Sequence, residues 1–134
     1  MRYGVDNLPR KEKTNTLPLM TTYTGGCHCK KVRYEVNLEL KDVLECNCSL
    51  CQTKGLLLAF VPAGDFKITS GEDSLTEYRF NKLVLQHLFC KHCGVQPFSY
   101  GEKDGVKMVG SSARSIDNIE LSGLNRVPFD GKSW

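Results

Sequence analysis

Gly25-Gly26-Cys27-His28-Cys29-Lys30-Lys31-Val32-Arg33-Tyr34-Glu35-Val36 joins two signals, a pair of cysteines spaced as ligands and an alternating segment behind it. Cys27 and Cys29 lie two apart, so an extended backbone directs both thiols to one side, and Gly25-Gly26 permit a tight approach. From Val32 to Val36 apolar and polar residues alternate, the period of a half-buried strand. That period returns in Leu75-Thr76-Glu77-Tyr78-Arg79-Phe80 and, less cleanly, in Val84-Leu85-Gln86-His87-Leu88-Phe89. Leu56-Leu57-Leu58-Ala59-Phe60-Val61 is a continuous apolar run ended by Pro62, which predicts a strand buried on both faces. Gly64-Asp65, Ser70-Gly71-Glu72-Asp73, Gly101-Glu102-Lys103-Asp104-Gly105 and Asp130-Gly131 read as turns between strands. Helix is scarce in this pattern, and the expected fold is mainly β.

The seven cysteines fall into three groups: Cys27-His28-Cys29, Cys46-Asn47-Cys48-Ser49-Leu50-Cys51 and Cys90-Lys91-His92-Cys93-Gly94. In Cys90-x-x-Cys93-Gly94 the chain must turn back for both sulfurs to face one metal, and a glycine after the second cysteine takes positive φ without steric cost. Paired with Cys27 and Cys29, it completes a tetrahedral set of four thiolates, the composition of a structural zinc site. Cys46, Cys48 and Cys51 remain, a cluster compact enough to hold one ion from three directions with a fourth position left open. Three protein ligands and one exchangeable position are the usual arrangement of a catalytic zinc. Three thiolates on Zn²⁺ carry a net charge of −1, which makes a hydrolytic water less favourable and a soft thiol the natural incoming ligand. Carbon–sulfur bond formation or cleavage is the chemistry suggested. The alternative is a second structural or regulatory metal whose fourth ligand comes from a histidine, a carboxylate or a neighbouring chain.

Composition bounds the rest. A chain of 134 residues with 40% hydrophobic and 25% charged content suits one globular domain over residues 21–134. Residues 1–20, with Pro9, Pro18 and a polar run from Arg10, read as a flexible or loosely docked tail. Eighteen basic against fifteen acidic side chains give +3 without a sustained basic run, so nucleic acid is not an expected partner. No apolar stretch approaches the roughly 18 residues of a membrane span, and no signal segment opens the chain. A cytoplasmic or nuclear protein is expected; reducing conditions there, and an odd cysteine count, favour metal ligation over disulfides.

The sequence resembles the glutathione-dependent formaldehyde-activating enzyme family, which includes centromere protein V. The resemblance rests on Gly25-Gly26-Cys27-His28-Cys29 with Val32-Arg33-Tyr34-Glu35-Val36, on Cys46-Asn47-Cys48-Ser49-Leu50-Cys51 with Gly55, and on Phe89-Cys90-Lys91-His92-Cys93-Gly94. It implies a β-tent of small packed antiparallel sheets and two zinc ions per chain. Cys27, Cys29, Cys90 and Cys93 would hold the structural ion, and Cys46, Cys48 and Cys51 the catalytic one. The activity it implies is condensation of glutathione with formaldehyde, or a related small aldehyde, to S-hydroxymethylglutathione. The centromere-protein branch implies instead a non-catalytic protein-binding module. Lys30-Lys31 departs from the pattern, since many relatives carry a small residue or glycine directly after the first cysteine pair.

His28, His87 and His92 are less suited to the open position than their residue type suggests: two sit between paired ligands and one lies in a predicted strand. Ser49 and Asn47 are candidates to stabilise the thiolate cluster, with simple loop chemistry as the plainer reading. Glutathione carries two carboxylates, so Lys54 and Arg114, with Arg126 behind them, are candidate substrate contacts, though each also suits a solvated surface charge. Tyr34, Phe60, Phe89 and Phe98 are expected in the core.

Overall fold

The alternating stretch behind Cys29 is a strand. In a computed structural model of the protein, which describes residues 20–79 and 85–130, the strands in chain order are β1 (Thr21–Gly26), β2 (Arg33–Leu38), β3 (Asp42–Cys46), β4 (Leu58–Pro62), β5 (Phe66–Ser70), β6 (Leu75–Tyr78), β7 (Gln86–Cys90), β8 (Phe98–Lys103), β9 (Val106–Ser112) and β10 (Asn125–Phe129). One α-helix stands among the described residues, α1 (Ser49–Lys54). The mainly β expectation holds. The tail predicted over residues 1–20 lies outside the described residues apart from Met20, as do Phe80, Val84 and Gly131 of the predicted strands and turns.

Two sheets divide the strands. The smaller is ordered β1-β2-β5 and the larger β10-β3-β4-β9-β8-β7-β6. Neighbours are antiparallel except β3 and β10, which run parallel with Asp42 opposite Asn125 and Cys46 opposite Phe129. A parallel pair needs a long connection, and here that connection contains most of the domain. The turn predicted over residues 101–105 narrows to Asp104-Gly105, since Gly101 belongs to β8. Lys103 pairs with Val106, and the two turn residues have φ of 54° and 81°, as a tight two-residue hairpin requires.

The core fills the space between the sheets. Tyr34, Val36 and Leu38 point inward from β2 at the expected alternation and meet Val43, Leu57, Ala59, Val61, Phe98 and Val109. Phe66, itself half-buried, packs against this core, with ring centroids 5.0 Å from Tyr34 and 4.7 Å from Phe98. The Tyr34 hydroxyl lies 2.6 Å from Ser115 Oγ, which itself donates to the Ser112 carbonyl at 2.7 Å, so the phenol is the donor. Burial pushes its pKa up to about 12, which keeps that proton in place.

The apolar run around Phe60 is not buried on both faces. Leu58, Ala59 and Val61 are buried, but Phe60 is 40% exposed and lies outside the core where it was expected. Its register partner on β9 is Gly110, and a Cβ there would come within 2.8 Å of the Phe60 ring. The ring therefore covers a glycine on the outer face of the sheet, a cross-strand pairing that the hydrophobic run does not reveal.

Candidate metal centres

Each cysteine group sits where strand geometry ends. Cys27 follows β1, and its N–H donates to the Val32 carbonyl at 3.1 Å, closing the β1–β2 turn around Cys29. Cys90 is the last residue of β7; the next turn returns through Gly94, whose φ is 80° and whose N–H reaches the Cys90 carbonyl at 2.8 Å. The predicted role of that glycine holds. These two turns, one from each sheet, bring the sulfurs of Cys27, Cys29, Cys90 and Cys93 within 4.8 Å of one another. Two neighbouring pairs, Cys27–Cys29 and Cys29–Cys90, are 3.6 Å apart. Sulfurs at zinc-thiolate distance on the corners of a tetrahedron lie about 3.8 Å apart, so the four sulfurs fit that ion; a disulfide would need about 2 Å. N–H groups of Val32 and His92 donate to Cys27 and Cys90 at 3.3 and 3.4 Å, the outer contacts that orient metal-binding thiolates.

Ionisation behaves as expected of four crowded sulfurs. Burial raises Cys93, yet N–H donors from Val95 and Cys29 outweigh it and bring the thiol to about 6. Cys29 accepts an N–H from Lys31, but burial and the neighbouring thiols push it up to about 11. Cys29 and Cys93 are thus driven in opposite directions, and a divalent ion between them would favour the thiolate form of both.

The turn also shows what the lysine at position 30 costs. Lys30 has φ of 72°, a left-handed conformation that strains a side-chain-bearing residue. Lys30→Gly is expected to stabilise the metal-bound protein by about 1 kcal/mol, read as a raised denaturant midpoint. A lowered midpoint would show that the side chain holds the turn.

The second group starts at the end of β3. Cys46 closes the strand, Cys48 is the N-cap of α1, and Cys51 lies in its first turn, with the Cys48 sulfur accepting the Cys51 N–H at 3.3 Å. The Cys48 N–H in turn donates to Cys46 at 3.4 Å. All three sulfurs lie within 4.8 Å of one another, and among the described residues no histidine or carboxylate joins them. All three histidines are among the described residues, so His28, His87 and His92 are not the fourth ligand within that distance. Burial raises Cys46 and Cys51, whereas Cys48, also raised by burial, is lowered on balance by N–H donors from Cys51 and Leu50.

The remaining candidates separate. Lys54 ends α1 three residues beyond Cys51, on the same helical face; its ammonium donates to Gln96 Oε1 at 2.9 Å and lies 5.1 Å from the Phe89 ring centre. Arg114 donates to the Gly55 carbonyl at 2.9 Å, so both cations stand at the C-terminal end of α1. Arg126 is paired instead with Glu45 on the exposed face of β10 and β3. Asn47 does not turn to the thiolates: its amide donates to Asp130 at 3.1 Å and its backbone N–H to the Phe129 carbonyl, tying the cysteine loop to β10. Ser49 is exposed at the start of α1. Sequence reasoning missed Gln96 and the role of His87, which are buried side by side behind Lys54. The only trace of Gln96 in the sequence is a polar residue between Val95 and Pro97-Phe98, directly after the second cysteine turn.

A family model described as glutathione-dependent formaldehyde-activating enzyme matches residues 22–122, a span that contains all seven cysteines. Among solved structures, the crystal structure of a Rhodobacter sphaeroides protein from a structural genomics programme is similar. It is 26% identical, with a TM-score of 0.69, and the match covers 78% of this chain and 99% of that one. Among the described residues no helix is long and apolar enough to cross a membrane.

Proposed function

The chain belongs to the glutathione-dependent formaldehyde-activating enzyme family, and from that premise we propose a cytoplasmic, zinc-dependent carbon–sulfur lyase. Its reaction is the joining of glutathione and formaldehyde, or a related small aldehyde, to S-hydroxymethylglutathione, and the reverse. One domain over residues 21–134 holds two zinc ions, a structural one on Cys27, Cys29, Cys90 and Cys93 and a second on Cys46, Cys48 and Cys51. The observation that carries this reading is the three-sulfur cluster, which no histidine, further cysteine or carboxylate joins among the described residues.

A zinc ion held by Cys46, Cys48 and Cys51 would supply Lewis acidity for a thiol, lowering its pKa so that thiolate would be available at neutral pH. In the bond-forming direction the sulfur pair attacks the aldehyde carbon, the carbonyl π pair moves to oxygen, and oxygen takes the proton the thiol gave up. The Cys48 and Cys51 N–H groups, aimed at the Cys46 and Cys48 sulfurs, keep the negative ligand set in place. Lys54 and Arg114 offer cationic donors at the end of α1 for the carboxylates of the tripeptide, with Ser49 exposed at its start.

The test is the exchange rate between glutathione and formaldehyde, measured by exchange NMR on zinc-loaded protein. Thiols add to formaldehyde unaided, so the buffer rate is subtracted, and a protein-dependent rate well above it is expected. A rate no faster than buffer favours the second reading, a non-catalytic zinc-stabilised module of the centromere protein V kind. The observation on that side is the shallow cleft where exposed Phe60 and Met20 lie beside Glu39, Asp42 and Asp65.

A further inference from the structure

Two buried polar side chains that the reaction does not use, Gln96 and His87, stand in a row behind Lys54. Lys54 Nζ donates to Gln96 Oε1 at 2.9 Å, and Gln96 Nε2 meets His87 Nδ1 at 3.2 Å. Gln96 and His87 are 5% and 2% exposed, so neither amide nor ring is free to reorient into solvent. Donor logic sets every direction in the row. An ammonium has only donors, so the amide must turn its oxygen to Lys54; its NH₂ then donates to Nδ1, and the ring carries its proton on Nε2. Burial, with the Lys54 charge adding, lowers the His87 pKa and keeps the ring in that neutral form.

The result is a cation fixed in place by a neutral partner. Among the described residues no carboxylate pairs with Lys54; the ion pairs there use Arg33, Arg79 and Arg126. One face of its ammonium is turned to the Phe89 ring and one proton to Gln96, which leaves donors for an anion. Arg114, held on the adjacent Gly55 carbonyl, adds a second cation, a guanidinium, at the same end of α1.

We propose that Gln96 is the positioning residue of an anion subsite: it holds the Lys54 ammonium beside the three-cysteine cluster, where Lys54 receives a carboxylate of the thiol substrate. The subsite selects thiols that carry a carboxylate over neutral ones, and this rests on the reading of the cluster as a thiol site. Gln96 acts through Lys54 and does not touch the substrate.

The experiment compares glutathione, 3-mercaptopropionate and 2-mercaptoethanol on zinc-loaded protein, by calorimetric binding and by exchange kinetics with formaldehyde. For Lys54→Met, Kd and KM for the two carboxylate-bearing thiols should rise about tenfold, the weight of one charge-assisted hydrogen bond. kcat, zinc content and all values for 2-mercaptoethanol should stay within about twofold. Gln96→Glu keeps an acceptor for Lys54 but neutralises it, so it should weaken the same two thiols as strongly. Gln96→Leu frees the ammonium and should weaken them by about threefold, while Lys54→Arg should restore most of the Lys54→Met loss. Equal losses for all three thiols, or zinc lost from Lys54→Met, would overturn the subsite and assign Lys54 to balancing the cluster's charge. Wild-type protein that binds none of the thiols would remove the parent reading and this one together; wild-type binding without selective loss in the variants removes this one alone.

Discussion

Cys90→Ser is expected to leave the protein unfolded at neutral pH. Cys90 is fully buried, sits 3.6 Å from Cys29 across a separation of 61 residues, and ends the strand that brings the second cysteine pair to the first. Structural zinc in finger peptides contributes on the order of 10 kcal/mol of apparent binding free energy, against roughly 5–15 kcal/mol for the whole stability of a domain. The loop the metal closes is long, so its loss also returns considerable freedom to the unfolded chain. Few apolar side chains compensate locally: Cys27, Val32 and Cys90 are the buried members of that cluster, with Leu75 and Val95 beside them. Far-UV circular dichroism of the variant should show a disordered chain, and a strong chelator should drive the wild type to the same state. A folded Cys90→Ser protein holding two equivalents of zinc would refute the assignment of this site as the structural one.

Cys48→Ser should do the opposite, leaving the fold intact while removing one of two zinc ions and the exchange rate above buffer. The three sulfurs lie within one short loop, so no long closure depends on them. Serine is among the best N-cap residues and can accept the Cys51 N–H as the Cys48 sulfur does, so α1 keeps its start. The substitution therefore isolates metal binding from helix capping. Cys48→Ala would remove both, adding about 1 kcal/mol of helix destabilisation. Metal analysis should give two ions for wild type and about one for Cys48→Ser, with similar melting profiles. Unfolding of the serine variant would identify the loop as a second structural site.

The grouping of the cysteines was legible in the sequence because ligand spacing is a local property: two residues apart on a strand, or three apart across a glycine-closed turn, the geometry follows from covalent structure. Alternation exposed β2 for the same reason. Phe60 was misplaced because exposure of one face of β4 depends on its partner Gly110, fifty residues on. In sequence Asn47 suits either the cysteine cluster or simple loop chemistry, and what decides is Asp130, a partner that only the parallel β3–β10 pairing brings near. The row from Lys54 through Gln96 to His87 draws on three separate elements, and no local pattern joins them. Arg114 was a candidate by residue type, and the turn after β9 places it on Gly55.

The parallel pairing of β10 with β3 also sets a timetable for a chain emerging from the ribosome. Cys46, Cys48 and Cys51 leave the tunnel close together, able to capture an ion at once, but the anchor for their loop, at Phe129 and Asp130, follows only later, Asp130 being 83 residues beyond Asn47. Ribosome-bound nascent chains stalled short of β10 would thus carry all seven sulfurs with the three-cysteine loop still untethered.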